Sequence, residues 1–551
     1  MIRISQLKID IDETRDLLPD LIAKKLKIPA ADILDYRIFK ESVDARRGTV
    51  TFVYTVDVTV SNEQSVLAKG LSNITKTPNL EYDMPSKLDT PPASPPVVIG
   101  FGPAGMYAAL LLAQCGYNPI VLERGEAVDE RAISVEQFWR NGELNPESNV
   151  QFGEGGAGTF SDGKLTTRVK DLRGRKVLEE LVAAGAPPEI LYKAHPHVGT
   201  DLLRTVVKNL RQKIINLGGD VRFNTKVVDF EFSNDRLHAV ITKKTVTSGS
   251  SVPNESEELC RYETENVILA VGHSARDTFT KLYEHKIEMV AKPFAVGVRI
   301  EHPQKLIDKA QYKEFAGHPK LGAAEYRLTH QANNGRGVYT FCMCPGGYVV
   351  PSSSEPNMIV TNGMSEHDRA KSNANSAVLV QVTLADFGSD HPLAGVKFQR
   401  DLENKAFIMG GANYKAPAQR VVDFLAGHPS KSLGTVEPTF ANGVKCANLH
   451  NLFPKPLCDA LIEGIQAFGD KINGFDMDDA VLTAVETRSS SPVRISRNSE
   501  TLQSPSLAGF YPAGEGAGFS GGIISSAIDG LKCAEKLIEN YQRFSVANEN
   551  A

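Results

Sequence analysis

The sequence is short of the features that would place it in a membrane, a disulfide framework or a nucleic-acid complex. No run approaches the ~20 apolar residues of a membrane span. Its 7 cysteines are scattered over 551 residues without paired spacing, which excludes a disulfide scaffold and fits a reducing, cytoplasmic compartment. Positive charge is not in excess: 61 Lys and Arg stand against 66 Asp and Glu, a net charge of −5. Such a balance offers no field for nucleic acid or an anionic membrane, so neither partner is expected. The opening residues, Met1-Ile2-Arg3-Ile4-Ser5-Gln6-Leu7-Lys8, carry no apolar stretch behind their charges, so no signal peptide is expected. Cys and His nowhere cluster at ligand spacing, so no metal is expected. What is left is 41% hydrophobic and 23% charged, a soluble globular composition. The length exceeds one core and predicts two or three domains.

Residues 1–80 read as a small α+β unit of ferredoxin-like type. Ile2, Ile4, Leu7 and Ile9 mark a strand, Leu17, Leu18, Leu21 and Ile22 a helix face. Val50, Phe52, Tyr54, Val56, Val58 and Val60 alternate as a half-buried strand. Lys24, Lys25, Lys27, Arg46 and Arg47 make the unit locally basic, without the aromatic–basic interleaving of an RNA binder. Residues 81–96 form a linker: Pro85, Pro91, Pro92, Pro95 and Pro96, with Pro78 before them, suit neither helix nor central strand. Beyond it the texture becomes strand, glycine loop, helix, which predicts a parallel α/β sheet. A Ser-rich patch from Thr245 to Glu258 reads as a hairpin loop.

Val97-Val98-Ile99 runs into Gly100-Phe101-Gly102-Pro103-Ala104-Gly105 and then an apolar helix from Met106 to Cys115. In such a turn Gly100 permits the sharp bend, Gly102 lets a pyrophosphate approach the backbone, and Gly105 lets helix and strand pack. The helix start offers free N–H groups to phosphate, and Pro103 suits its first turn. A second strand, Ile120-Val121-Leu122, ends at Glu123, 123 − 100 = 23 residues on. An acidic side chain there meets the adenosine ribose and disfavours the 2′-phosphate of NADP. Arg124 follows as a further cofactor-binding candidate.

Three later segments continue the pattern. Thr225-Lys226-Val227 leads into a β-meander, with Val227 placed to present its backbone to an adenine, and Val267 to Val271 is a strand that closes on Gly272. Tyr511-Pro512-Ala513-Gly514-Glu515 precedes Gly518 to Ile523 and a last helix. This succession resembles the glutathione-reductase-type FAD flavoproteins. The resemblance implies that Gly514 and Glu515 hold the ribityl chain, although Asp is commoner at the second position. It also implies that the helix start at Gly521, Gly522 and Ile523 faces the flavin N1/O2 edge, where reduced flavin carries negative charge. Five glycines in the thirteen residues Gly153 to Leu165 suit a backbone lying against a ligand; Gly155, Gly156, Thr159, Ser161 and Lys164 are its binding candidates. With Phe341 to Val350 and Glu486 to Arg494, this loop resembles the bacterial FAD-dependent dehydrogenase family of largely unassigned function, over nearly the whole chain.

No second strand–GxGxxG–helix follows: Gly410-Gly411 leads into Ala412 to Pro417, which opens no helix. The expected architecture is therefore α/β: a Rossmann-type FAD-binding domain with a β-meander, residues 97–291 and 476–551, interrupted by an α+β substrate or cap domain, residues 292–475. That layout resembles single-Rossmann flavoproteins of the fumarate reductase and amine oxidase type. In the strand Phe294 to His302, Arg299 and Glu301 point away from the apolar face, to solvent or a cleft, with solvent the commoner outcome. Arg488 is the leading catalytic candidate, an anion binder, with Tyr326, Arg327 and Ser525 behind it. His197 and His273 are candidate proton donors beside the flavin. Cys342 and Cys344 fall on one face of a regular strand, ~6.6 Å apart with parallel Cβ vectors, which is poor disulfide geometry.

These readings predict a cytoplasmic FAD oxidoreductase that passes hydride between a small substrate, anionic or carbonyl-bearing, and the flavin, with NAD(P)H as a transient reductant. The alternative is a non-redox FAD protein of the tRNA-modifying kind, supported by the small basic N-terminal unit alone.

Overall fold

The computed structural model describes residues 1–46, 48–244 and 259–549, with side chains as far as residue 542. The Ser-rich patch from Thr245 to Glu258 lies outside the described residues. At the N-terminus, strands Ile33–Asp44, Thr51–Val60, Ile2–Asp10 and Ile74–Lys76 lie in that order in one sheet. With helices Leu18–Leu26 and Glu63–Ala68 the chain order is β-α-β-β-α-β. The uneven step from Ile4 to Leu7 is a bulge, where Gln6 has φ 64° and the register shifts. It keeps Ile2, Ile4, Leu7 and Ile9 all inside, against Leu18, Ile22 and Leu26.

The proline-rich stretch is irregular but docked. Leu88 N–H donates to the Cys115 carbonyl at 2.9 Å, and the Tyr82 hydroxyl donates to Glu535. The segment so lies against the first helix of the next body and the last helix of the chain.

That body is built on five parallel strands in the order Phe510–Pro512, Val267–Leu269, Val97–Ile99, Ile120–Leu122, Asp220–Arg222. Strands Phe510–Pro512, Val267–Leu269 and Val97–Ile99 are fully buried, as in a parallel sheet covered on both faces, while the edge strand Asp220–Arg222 is polar and largely exposed. Helices Pro103–Gln114 and Ile523–Glu549 pack together so closely that a Cβ at Gly530 would stand 2.0 Å from the Ala104 carbonyl oxygen. Strands Thr225–Ser233, Arg236–Lys244 and Leu259–Glu263 form the meander.

The second body carries a seven-stranded sheet, ordered Thr329–Gln331, Gly337–Cys344, Asn373–Val382, Phe294–Pro303, Val481–Glu486, Ala416–Arg420, Val444–Cys446. Strand Val481–Glu486 is interior to it, between Phe294–Pro303 and Ala416–Arg420. The boundary expected at 475/476 therefore moves beyond Glu486, because these six residues, all buried, are core to the second body. The chain crosses between bodies as a ribbon, Met289–Ala291 paired with Val493–Ile495.

The same central position corrects the solvent placement of Arg299 and Glu301. Phe294–Pro303 has neighbours on both edges and is covered on both faces, and both charged side chains are fully buried. Arg299 pairs bidentately with Glu486 at 3.0 and 2.9 Å, and Glu301 accepts from Thr439 and Asn373.

Candidate functional site

A cavity of about 990 Å³ opens between the carboxyl ends of the parallel strands and the second body, at the upper end of the usual range for ligand sites. Parallel sheets bind ligands at this end of their strands. The first wall is mostly backbone. Gly100 has φ 94°, and a Cβ there would stand 2.5 Å from the Ala270 carbonyl oxygen. At Gly105 a Cβ would meet the Gly100 oxygen at 1.9 Å, so Gly105 works from behind the wall, in packing. Gly102, by contrast, has only the Gly156 Cα, at 3.7 Å, near its missing Cβ. Around Gly272 and Gly522 there is nothing within 4 Å. Side chains at these three positions would stand in space a dinucleotide needs.

Glu123 closes the second strand, nearly buried. Its carboxylate accepts from the N–H groups of Phe101 at 2.7 Å, Gly125 at 3.0 Å and Gly153 at 2.9 Å. Of about four lone-pair directions on a carboxylate, this leaves one for a ligand hydroxyl. Two of these bonds, from Phe101 and Gly153, tie the first glycine loop to the second. Arg124 stacks over Phe152, 4.1 Å to the ring centre, between Glu147 and Asp277.

The glycine-dense loop divides. Gly156, Ser161 and Lys164 border the cavity. Gly155 and Thr159 stand behind it: a Cβ at Gly155 would lie 2.0 Å from Thr159 Oγ1, and that hydroxyl donates to the Glu154 carbonyl. Under the loop lies Arg131, fully buried, donating to the carbonyls of Asn149, Val150 and Glu154. Lys164 reaches across to the second body, onto the Met343 carbonyl and Glu325. Val227, Gly272, Gly514, Glu515, Gly521, Gly522 and Ile523 also border the cavity, as do Tyr326, Arg327 and Ser525. Glu515 accepts a hydrogen bond from the Gly522 N–H, and burial, opposed by Lys292, pushes its carboxyl up to about 7.

The proposed catalytic residues fare differently. Arg488 borders the cavity, but its guanidinium is already engaged by the protein. Its Nε and Nη2 donate to Glu403 at 3.2 and 3.1 Å, and Nη1 donates to Ser274 and Ser354. The fork that would clasp a substrate carboxylate already clasps a protein one. Arg276 grips the same Glu403 at 2.8 and 2.6 Å. Burial pushes the Glu403 carboxyl up, yet the two guanidinium groups outweigh it and hold it at about 2. His273 borders the cavity with Nδ1 against Ser274. Burial, with Arg488 and Arg276 nearby, draws it down to about 3, so its ring is neutral. His197 is away from the cavity. It stacks on His367, bonds the His367 carbonyl at 2.9 Å and is drawn down to about 4 by burial; it is a structural residue.

Arg276, Glu403, Gln151 and Ser274, none of them expected from the sequence, complete this wall: Ser274 donates to Gln151, and Gln399 to the Thr487 carbonyl. Glu403 sits inside helix Ala394–Gly410, where a single Glu reads as a solvent-facing charge. Arg168, exposed on the cavity rim, was likewise not expected from the sequence. Among the described residues, no group of three or more His, Cys, Asp or Glu could hold a metal ion, and no helix is long and apolar enough to cross a membrane.

Residues 293–489 match the family described as FAD-dependent protein, C-terminal domain-like, and residues 1–59 match a domain of unknown function. An uncharacterized protein of Clostridium beijerinckii is 48% identical over 543 residues, 98% of this chain and 99% of that one. Among solved structures, glycine oxidase from Bacillus cereus is 10% identical, with 81% of this chain and 95% of that one covered at a TM-score of 0.31. A flavoprotein/dehydrogenase from Cytophaga hutchinsonii is 13% identical, with 82% and 78% covered at a TM-score of 0.34. The cofactor is FAD.

Proposed function

The chain belongs to the same family as the Clostridium beijerinckii protein, and from that premise we propose that it is an FAD-dependent oxidoreductase acting on a small organic substrate. The observation that carries this reading is one continuous cavity. It runs from the Gly100–Gly105 turn past Glu123 to the start of the last helix, and on to the strand Gly337–Cys344 of the second body. It has room for a dinucleotide along the first wall and a substrate against the second.

In this reading the backbone of Gly100, Gly102, Pro103 and Ala104 holds the pyrophosphate at a helix N-terminus. Glu123 takes the adenosine ribose on its remaining lone pair, Val227 lies beside the adenine, and Gly514 with Glu515 takes the ribityl chain. The start of the last helix, Gly521 to Ile523, would face the flavin N1/O2 edge, where the positive end of the helix dipole favours negative charge. The flavin, when bound, supplies hydride chemistry. The chain's own part is to exclude water, orient the substrate and manage protons. Neutral His273 can accept a proton or donate a hydrogen bond, but it is not an imidazolium acid at neutral pH. With Arg488 engaged by Glu403, the anion-binding role passes to Arg327 and Arg168, exposed guanidinium groups on the cavity rim. An anionic or carbonyl-bearing substrate follows. NAD(P)H serves as a visiting reductant, since the sequence has no second dinucleotide turn.

An anaerobic screen of small carboxylates and carbonyl compounds, read by flavin absorbance, tests the proposal. At least one class should bleach the flavin, with a raised KM in Arg327→Ala. Bleaching by no metabolite and no reduced nicotinamide, with nucleic acid copurifying, would overturn it in favour of a non-redox role.

A further inference from the structure

The second wall carries a pair of thiols that the proposed hydride chemistry does not use. Thr340, Phe341, Cys342 and Met343 all border the cavity, which a regular strand, alternating its faces, would not allow. The cause is a bulge. Phe341 pairs with Ala377 and Cys344 with Asn375, three steps against two, and Cys342 has φ 45°. A left-handed cysteine is an uncommon conformation that persists only where its surroundings enforce it, and such outliers gather at functional sites. The bulge breaks the parallel arrangement expected from the sequence. The Cys344 thiol instead turns back onto the Cys342 carbonyl, and the two thiols lie close enough to influence one another.

The two sulfurs differ in setting. Cys344 is fully buried and donates to the Cys342 carbonyl at 3.3 Å. Cys342 is half-buried at the cavity wall, with its carbonyl held by Arg299 Nη1 at 3.1 Å and the Lys164 ammonium on the next carbonyl. The Cys344 hydrogen bond, then Arg299 and Lys164, draw the Cys342 thiol down to about 7, so a large fraction is thiolate near neutral pH. Cys342 also lies close enough to Glu515 for their charges to interact, and Glu515 marks the flavin end of the cavity in the reading above. A merely structural pair would need neither cavity exposure nor flanking cations.

We propose that Cys342 and Cys344 form a redox-active dithiol that exchanges an electron pair with the FAD, Cys342 facing the cofactor and Cys344 resolving behind it. The proposal rests on the FAD assignment. In the oxidising direction a sulfur–sulfur bond forms and both thiols lose their protons. The electron pair and one proton pass to oxidised flavin, giving its reduced anion, and the second proton goes to solvent. The reverse step breaks the bond and returns a proton to each sulfur. A bridge enclosing a single residue is strained and easily reduced, as an exchanging disulfide must be.

The test uses holoprotein oxidised with diamide, freed of oxidant and titrated anaerobically with dithionite. Wild type should take up roughly twofold more reducing equivalents per flavin than Cys342→Ser or Cys344→Ser, since the pair is a second two-electron couple. After oxidation, iodoacetamide should leave both cysteines of the wild type unlabelled and joined within one peptide. Equal uptake by wild type and variants, or labelling of both cysteines in oxidised wild type, overturns the proposal. The labelling arm needs no variant, so a variant that fails to fold does not blunt the test. A colourless protein contradicts the FAD assignment instead, and labelling of that apoprotein still reports whether the bridge forms.

Discussion

The two walls of the cavity are made of different materials. The wall from the parallel sheet is backbone: glycines at 100, 102, 272 and 522, helix starts, and one carboxylate, Glu123, that binds three N–H groups. The wall from the second body is side chain, stitched by buried ions: Arg299–Glu486 and Glu403–Arg488, with Arg276 reaching onto Glu403 from the first body. Backbone accepts any ligand of the right shape and phosphate count, so the first wall suits a cofactor common to many enzymes. A fixed ionic lattice holds its shape without the ligand, so the second wall suits discrimination among substrates. The difference also says where mutation should hurt: folding at the second wall, cofactor affinity at the first.

Removing Glu403 is the strongest way to break this comparison. Glu403→Ala strands two buried guanidinium groups and should cost about 3–5 kcal/mol of stability, read by denaturant unfolding. An unchanged midpoint would mean that the lattice is not structural. Next comes Glu123→Ala, which leaves the N–H groups of Phe101, Gly125 and Gly153 without their acceptor. A loss of about 1–3 kcal/mol is expected in FAD affinity, beside a loss of apoprotein stability from the three unsatisfied N–H groups. Titration of apoprotein with FAD checks it, and an unaltered Kd would detach Glu123 from the ribose role. The smallest effect is a pH dependence. Glu515 has its folded pKa raised from an ordinary 4.5 to about 7, so the folded apoprotein prefers it protonated. That contribution is fully present below 4.5 and is lost as pH rises through about 7. Glu515→Gln should remove this part of the pH–stability curve measured on apoprotein, and a superimposable curve would refute the assignment.

What the sequence revealed divides along the same line. The first wall was legible because backbone binding demands glycine at fixed short spacing and an acid 23 residues on, and such spacing is local. The start of the parallel sheet was legible for the same reason, Val97–Ile99 running into Gly100 and Ile120–Leu122 into Glu123. The second wall was not, because Arg276, Glu403 and Arg488 meet only in three dimensions, 127 and 85 residues apart. Arg299 and Glu301 were misplaced because alternation distinguishes two faces only when one of them is wet, and this strand has both faces dry. The Cys342 bulge escaped because nothing in Phe341-Cys342-Met343-Cys344 marks a left-handed residue. Strand Val481–Glu486 was given to the wrong body because nothing in its own residues says which sheet it joins, and it inserts between Phe294–Pro303 and Ala416–Arg420 only in three dimensions.

The account stands most directly on the cofactor released when purified protein is denatured and the supernatant is resolved by chromatography and mass. It predicts a yellow protein that releases FAD, not FMN or NAD. It also predicts a colourless Gly102→Val, folded by circular dichroism, because a branched side chain would fill the pyrophosphate cradle. A wild-type protein that is colourless and cannot be reconstituted with FAD, or a Gly102→Val protein with full FAD occupancy, would contradict it.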